Sequence, residues 1–236
     1  MTALKKEQFS YDEVPTWLEC EEYTDSDMSV DAEKAWKRAI ELMHEKDLSD
    51  KAVLDYGCSQ GGFLRMLYES RPFKFGLGVD VAVESLAAGR QLLNGQPIEY
   101  KHVNALADYS ETFDIAQSHW VIFHFEDLAK HAQEMAHVMK PGGVYYFHSG
   151  EHSESKVWKR WQPLLEKRIK LPTYTHTPEG CVKAFEDNGF KVTVEPWTWE
   201  EMAFAKDFQP DAWYESREEF EDHYLNRLLM FRAVKQ

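Results

Sequence analysis

Asp55, Gly57, Ser59, Gly61 and Gly62 crowd into the run AVLDYGCSQGGFL, and a second acid, Asp80, closes the segment FKFGLGVD further on. A glycine-rich turn of this kind invites comparison with a dinucleotide cradle, where G-x-G-x-x-G lets backbone approach a pyrophosphate. Two residues argue for another ligand. Ser59 stands where the second glycine would be, and Asp55 sets a carboxylate where it would repel a diphosphate and welcome an ammonium group. Asp80 falls about 20 residues beyond the loop, the spacing at which an acid accepts hydrogen bonds from a ribose diol. The pattern asks for a ribose and a cation, without a diphosphate, which disfavours a nicotinamide cofactor.

A second set of residues suits proton transfer. His119 and His124 follow FDIAQS, while His148 and His152 flank the end of VYYFHSG, with Glu151 beside them. Histidine titrates close to neutrality and can take a proton from an attacking nucleophile. For any one of these, a structural role is the commoner reading. Cys58 has no basic neighbour to activate it and reads as a small buried residue.

These groups need elements to position them. The chain alternates strand-like and helix-like patterns, the mark of a parallel sheet covered by helices. Residues 31–47 show helical spacing of Ala35, Trp36, Ile40 and Met43. KAVLDYG, FKFGLGVD, IEYKHVN, FDIAQSH and VYYFHSG read as five strands. GGFLRMLYES, VESLAAGRQLLNG (closed by Gly95) and EDLAKHAQEMAHVMKPGG (ended by its Lys-Pro-Gly-Gly) read as helices between them. Residues 153–170 read as an exposed basic-and-tryptophan helix. TPEGCVKAFEDNGF is a helix with Thr177 as N-cap, Pro178 at its first position and Gly189 past its end. FKVTVEPW and RLLMFRAVK are the closing strands. In a doubly wound sheet the ligand lies beyond the carboxyl ends of the strands, beside the first one.

Composition narrows the partners. A chain of 236 residues suits one embellished α/β domain. Its formal charge of −14 opposes a nucleic-acid partner, which needs clustered Lys and Arg, and favours cationic small molecules. No apolar run is long enough to span a bilayer, and the first residues lack the apolar core of a secretory signal. Cys20, Cys58 and Cys181 lie far apart, which implies reduced thiols in a cytoplasm and no metal site.

Taken together, these segments resemble the class I S-adenosylmethionine-dependent methyltransferases. VLDYGCSQGGF is similar to their first motif, with Ser59 departing at the middle glycine, and GVDVAVESL to their second. VNALADYSETFDIAQSHWVIFHF and VMKPGGVYYFHSG are similar to their third, fourth and fifth strands and to the lysine-proline-glycine turn. The likeness covers roughly residues 51–196 and the final strand near 227–235. It implies a Rossmann-like, doubly wound sheet of seven strands, mostly parallel with an antiparallel last strand and helices on both faces. Residues 1–50 would be an N-terminal cap segment and helix. Residues 51–236 would be the S-adenosylmethionine-binding methyltransferase domain, with insertions at about 151–176 and 197–224.

The resemblance also implies roles. Asp55 and Gly57 face the methionine part of S-adenosylmethionine, Ser59 and Gly61 bring backbone against it, Asp80 takes the ribose hydroxyls, and Val81 lies against the adenine. Asn104 stands where the family often has an acid for the adenine amino group, followed by Ala105 and Leu106. Ser118 and His119 flank the sulfonium, which makes His119 the leading candidate for a base, with His124 and His148 behind it.

The acceptor is not encoded in these motifs. Trp17, Trp120, Trp199 and Trp213 are candidates for its pocket. In residues 197–224 eight aromatic side chains, among them Trp197, Phe204, Phe208, Tyr214, Phe220 and Tyr224, sit among nine acids and two bases. That segment reads as a lid suited to a cationic or aromatic acceptor, as amphipathic packing, or as the contact of a possible homodimer. The leading function is methyl transfer to a small-molecule acceptor, releasing S-adenosylhomocysteine. The alternatives are a protein or peptide methyltransferase, or a non-catalytic S-adenosylmethionine-binding partner in a biosynthetic complex.

Overall fold

The computed structural model describes residues 10–18, 25–150, 153–197, 209–210 and 213–236. Five parallel strands carry the first half: β1 (Ala52–Tyr56), β2 (Phe75–Asp80), β3 (Ile98–His102), β4 (Phe113–Ser118) and β5 (Met139–Gly150). Two more, β6 (Phe190–Pro196) and β7 (Leu228–Lys235), complete one seven-stranded sheet in the order β3-β2-β1-β4-β5-β7-β6. β7 runs antiparallel to both of its neighbours. The order reverses between β1 and β4, and a doubly wound sheet opens its ligand crevice at that point.

Alternation along the strands divides the core in two. Leu54 and Tyr56 of β1 join one cluster with α4 (Leu128–Val138) and α6 (Pro178–Glu186). Val53 joins the other, with α1 (Asp25–Leu42), α2 (Gly62–Ser70) and α3 (Val83–Gln91). α5 (Lys156–Leu165) and α7 (Arg217–Asp222) belong to the later, less regular part of the chain. No helix of the described residues is long and apolar enough to cross a membrane.

Several boundaries differ from the periodicity. The first helix spans Asp25–Leu42, shifted upstream from the expected 31–47. Its end is fixed by Lys46, whose Nζ donates to the carbonyls of Glu41 and Met43 and so satisfies groups that a further turn would have used. α3 stops at Gln91, with the Leu92 N–H already turned onto Ala88 and Gly89, so Gly95 serves the following turn rather than the helix end. Lys140-Pro141-Gly142-Gly143 belongs to β5 itself, where the pairing with β4 changes register. α5 is shorter than 153–170, and its Trp158 is buried: the indole donates to Thr175 Oγ1 at 2.8 Å and the ring lies on Phe123. Thr177 caps α6 as expected, accepting from Gly180 N at 3.0 Å.

Candidate active site

The loop between β1 and α2 is shaped by backbone constraints. Gly57 and Gly61 both have positive φ, 79° and 71°. A Cβ at Gly57 would overlap Val121, and one at Gly61 would overlap the Tyr100 ring. Only glycine meets both demands at these two positions. Ser59 also lies in the left-handed region at φ 48°, so the residue that departs from the glycine pattern keeps the conformation a glycine would supply. Its N–H donates to Asp80 Oδ2 at 2.8 Å, and the other carboxylate oxygen accepts from Ala82 N at 2.9 Å. Asp80 therefore holds the loop and the start of α3 together.

Asp55 lies at the other end of this arrangement, almost wholly buried, and its Oδ2 has no hydrogen-bond partner among the described residues. Burial, and secondarily the charge of Asp80, push its pKa up to about 8. Its lateral neighbour in β4 is Gln117, which in turn pairs with Tyr146 of β5. Gln117 is completely buried, and neither atom of its amide finds a partner among the described residues. A buried carboxylate oxygen and a buried amide, side by side and unsatisfied, are the marks of a polar ligand site.

One step further along the same sheet face are two histidines. His148 follows Tyr146 by two residues in β5, and His119 follows Gln117 by two, just beyond β4. Their ring centroids are 5.0 Å apart. Phe63 of α2 packs on His119 at 4.3 Å, and Trp120 and Trp197 pack on His148 at 4.7 Å and 4.8 Å. Trp120 takes φ 58°, a conformation rarely held outside turns and functional sites. None of the four ring nitrogens has a partner among the described residues. Burial holds His119 well below the ordinary imidazole range, with His148 adding to the effect, and burial alone pushes His148 down to about 3. Both rings are neutral at physiological pH.

The N-terminal segment 10–18 crosses these elements as a strap. Tyr11 N donates to Asn104 Oδ1 at 2.8 Å, and Asn104 Nδ2 returns a bond to the Tyr11 carbonyl at 3.0 Å. Val14 N donates to the Val81 carbonyl at 3.0 Å, and Val83 N and Glu84 N donate to the carbonyls of Val14 and Pro15. Trp17 Nε1 reaches Ser59 Oγ at 3.4 Å. The Tyr11 hydroxyl donates into Glu134, 2.8 Å and 2.9 Å from its two oxygens. Glu134 also accepts from the Tyr56 hydroxyl at 3.3 Å and lies 3.7 Å from His131 Nδ1. His131 Nε2 is 3.0 Å from the Tyr145 hydroxyl, which is 2.6 Å from Ser118 Oγ. This buried chain of polar groups ties the strap to the end of β4.

The predicted site residues thus sort themselves by position. Asp55, Gly57, Ser59, Gly61, Asp80 and Val81 gather at the carboxyl ends of β1 and β2. Asn104 and Ala105 lie in the 3-10 turn after β3, with the Asn104 amide engaged by Tyr11. His124 is set apart from the histidine pair, its Nδ1 bonded to the Pro172 carbonyl at 2.8 Å. Trp17 sits at the cofactor loop and Trp120 at the histidine pair. Trp213 belongs to a different cluster: Trp161 meets it edge-on at 5.5 Å, and the Arg168 guanidinium lies 4.8 Å above its ring. Trp199, Phe204, Phe208, Glu151 and His152 lie outside the described residues. Gln117, Glu134 and His131 escaped the sequence reading; only the placement of polar residues within apolar stretches marks them.

A family model described as a methyltransferase domain matches residues 54–147. A ubiquinone biosynthesis O-methyltransferase of Rhizobium rhizogenes is 31% identical over 105 residues, 43% of this chain and 42% of that protein. A tRNA (guanine-N(7)-)-methyltransferase of Culex quinquefasciatus is 31% identical over 130 residues, 44% of this chain and 53% of that one. The chain thus spans about half the length of the relatives it matches. Among solved structures, a putative methyltransferase in complex with the Haloferax volcanii Trm112 methyltransferase activator superposes with a TM-score of 0.74 at 22% identity, covering 89% of this chain and 93% of that one. Geranyl diphosphate C-methyltransferase of Streptomyces coelicolor, crystallised with Mg2+, geranyl diphosphate and S-adenosylhomocysteine, gives 0.70 at 15% identity, covering 97% and 93%. The sheet order is that of the Rossmann-like fold of the class I S-adenosylmethionine-dependent methyltransferases, and residues 54–147 match a methyltransferase domain. S-adenosylmethionine is the cofactor of that class, and the Asp55 oxygen that lacks a partner among the described residues, the glycine loop and Asp80 have the chemistry that would suit its ammonium and ribose groups.

Proposed function

We propose that this chain transfers the methyl group of S-adenosylmethionine to a small-molecule acceptor at the carboxyl ends of β4 and β5. The observation that carries the reading is the run of buried polar side chains from Asp55 through Gln117 to His119 and His148 on one face of the sheet, whose Asp55 Oδ2, Gln117 amide and imidazole nitrogens have no partner among the described residues. Asp55 and Asp80 hold the cofactor's ammonium and ribose, the backbone of Gly57, Ser59 and Gly61 meets its methionine part, and Val81 meets its adenine. Asn104 contributes by fastening the strap and Ala105 by lining the adenine side; Ser118 and His119 stand at the reacting end. His119 and His148 are the catalytic candidates, while His124 holds its loop to Pro172. Methyl transfer is an in-line displacement, so the protein's tasks are to orient the nucleophile and to exclude water.

Trp120 and Trp197 wall the acceptor and Trp17 closes the cofactor side, while Trp213 packs against Trp161 of α5. A small acceptor is favoured by the ubiquinone-type relative and by the formal charge of −14, which opposes the nucleic-acid substrate of the tRNA-methylating relative. Cys58 and Cys181, buried as free thiols, fit a reducing cytoplasmic setting.

The test is release of S-adenosylhomocysteine, followed by mass spectrometry, across panels of phenols, amines, peptides and tRNA. Turnover with members of the small-molecule panels, and none with tRNA or peptide, is the expected result. Turnover confined to peptide or tRNA would overturn the acceptor class.

A further inference from the structure

Two neutral imidazoles facing each other inside an aromatic enclosure constrain what they receive. Resting on the methyltransferase reading above, we infer that the acceptor is an uncharged, planar hydroxyl compound, a phenol or enol, whose hydroxyl binds between His119 and His148. A neutral imidazole offers one donor and one acceptor, and leaving either buried without a partner is destabilising. All four ring nitrogens of the pair lack partners among the described residues, although both rings are almost fully buried. A hydroxyl is both donor and acceptor, so one hydroxyl satisfies an acceptor nitrogen on one ring and a donor nitrogen on the other. Trp120 and Trp197 pack around His148 and Phe63 packs on His119, so the pair sits among aromatic rings, surroundings that suit a planar body.

The same surroundings disfavour a cationic acceptor. The environment that keeps both imidazoles uncharged is desolvation, and no carboxylate of the described residues counteracts it. An ammonium group placed there would meet that penalty as well. The carboxylates lie at the other end of the row, where Asp55 and Asp80 face the cofactor, with the Gln117 amide between the two ends.

The step balances on these groups. The acceptor oxygen forms a bond to the methyl carbon, the carbon–sulfur bond pair stays on sulfur, and the hydroxyl proton passes to a ring nitrogen of His119. Positive charge leaves sulfur as it appears on the imidazole, so the enclosure holds one unit of charge throughout. Before transfer the sulfonium opposes protonation of His119 and keeps it available as a base; afterwards that opposition is gone.

The experiment compares p-cresol with benzylamine, which match in size and differ in charge. Protein labelled with 15N at histidine is titrated with each probe, with S-adenosylhomocysteine present and absent, and turnover is measured with each. The expected result is that p-cresol shifts the resonances of His119 and His148 and is methylated on oxygen, while benzylamine does neither. His119→Gln should lower kcat by about 10²–10⁴ while S-adenosylhomocysteine affinity and melting temperature are unchanged. His148→Asn should mainly raise the KM for p-cresol. If His119→Gln does not fold, His148→Asn and the labelled titration of the wild type still decide. Benzylamine acting in place of p-cresol, or p-cresol leaving both rings unperturbed, overturns the inference. Failure of S-adenosylhomocysteine to bind at all would instead strike the methyltransferase reading on which it rests.

Discussion

Affinity for S-adenosylmethionine should climb about tenfold per pH unit between roughly pH 5.5 and 7.5 and level off near pH 8. The cause is Asp55. Burial first and the Asp80 charge second push its pKa up to about 8 in the unliganded protein, so below that pH the carboxyl is mostly protonated and neutral. The ligand's ammonium group requires the ionised form. Binding at pH 6.5 must therefore expel close to one proton, and each unit below 8 costs about 1.4 kcal/mol of binding energy. Above about pH 8 the slope ends, because Asp55 is ionised already and the ligand's own amino group starts to lose its proton. Asp55→Asn should erase the slope, with wild type and variant converging at pH 5.5 and differing by up to about a hundredfold at pH 7.5. Calorimetry in two buffers of different ionisation heat counts the proton directly. A pH-independent affinity, with no proton released, would remove Asp55 from the site.

Asp80→Ala should weaken cofactor binding by about 1.5–3 kcal/mol, roughly ten- to a hundredfold. The ribose loses its acceptor, and Ser59 loses the bond that holds it at positive φ. Asp80→Asn should be no milder. One carboxylate oxygen accepts from Ser59 N and the other from Ala82 N, so an amide must turn its NH2 toward one of these N–H groups. Near-wild-type affinity in the Asn variant would mean that the loop does not depend on this carboxylate. The melting temperature of each variant, measured without ligand, separates a lost contact from a lost fold.

Much of this arrangement was legible from local pattern. The glycine spacing, Asp55 and Asp80 located the loop, and apolar alternation located the strands, because short-range sterics and two-residue periodicity determine both. Ser59 read as a departure from the loop pattern, yet its backbone does what a glycine would do, held there by a side chain twenty-one residues away. What stayed hidden depends on contacts distant in sequence. The strap pairs Tyr11 with Asn104 and with Glu134, and no local rule links those positions. Gln117 looks like an ordinary polar residue in FDIAQS; its meaning comes from lying next to Asp55 across the sheet. Trp213 had the composition of a pocket residue, but Trp161 and Arg168 occupy its ring. The first helix ends early because Lys46 folds back onto its carbonyls, an effect invisible to periodicity.

We infer that this crevice is built for an ammonium and a ribose diol and has no place for a diphosphate. It is tested most directly by calorimetric titration of one protein sample with S-adenosylmethionine, S-adenosylhomocysteine and NAD at pH 7.5. The site geometry predicts one-to-one binding of the first two, with the Asp55→Asn and Asp80→Ala losses seen for both, and no measurable heat with NAD. NAD binding as tightly as S-adenosylhomocysteine, or none of the three binding, would contradict it.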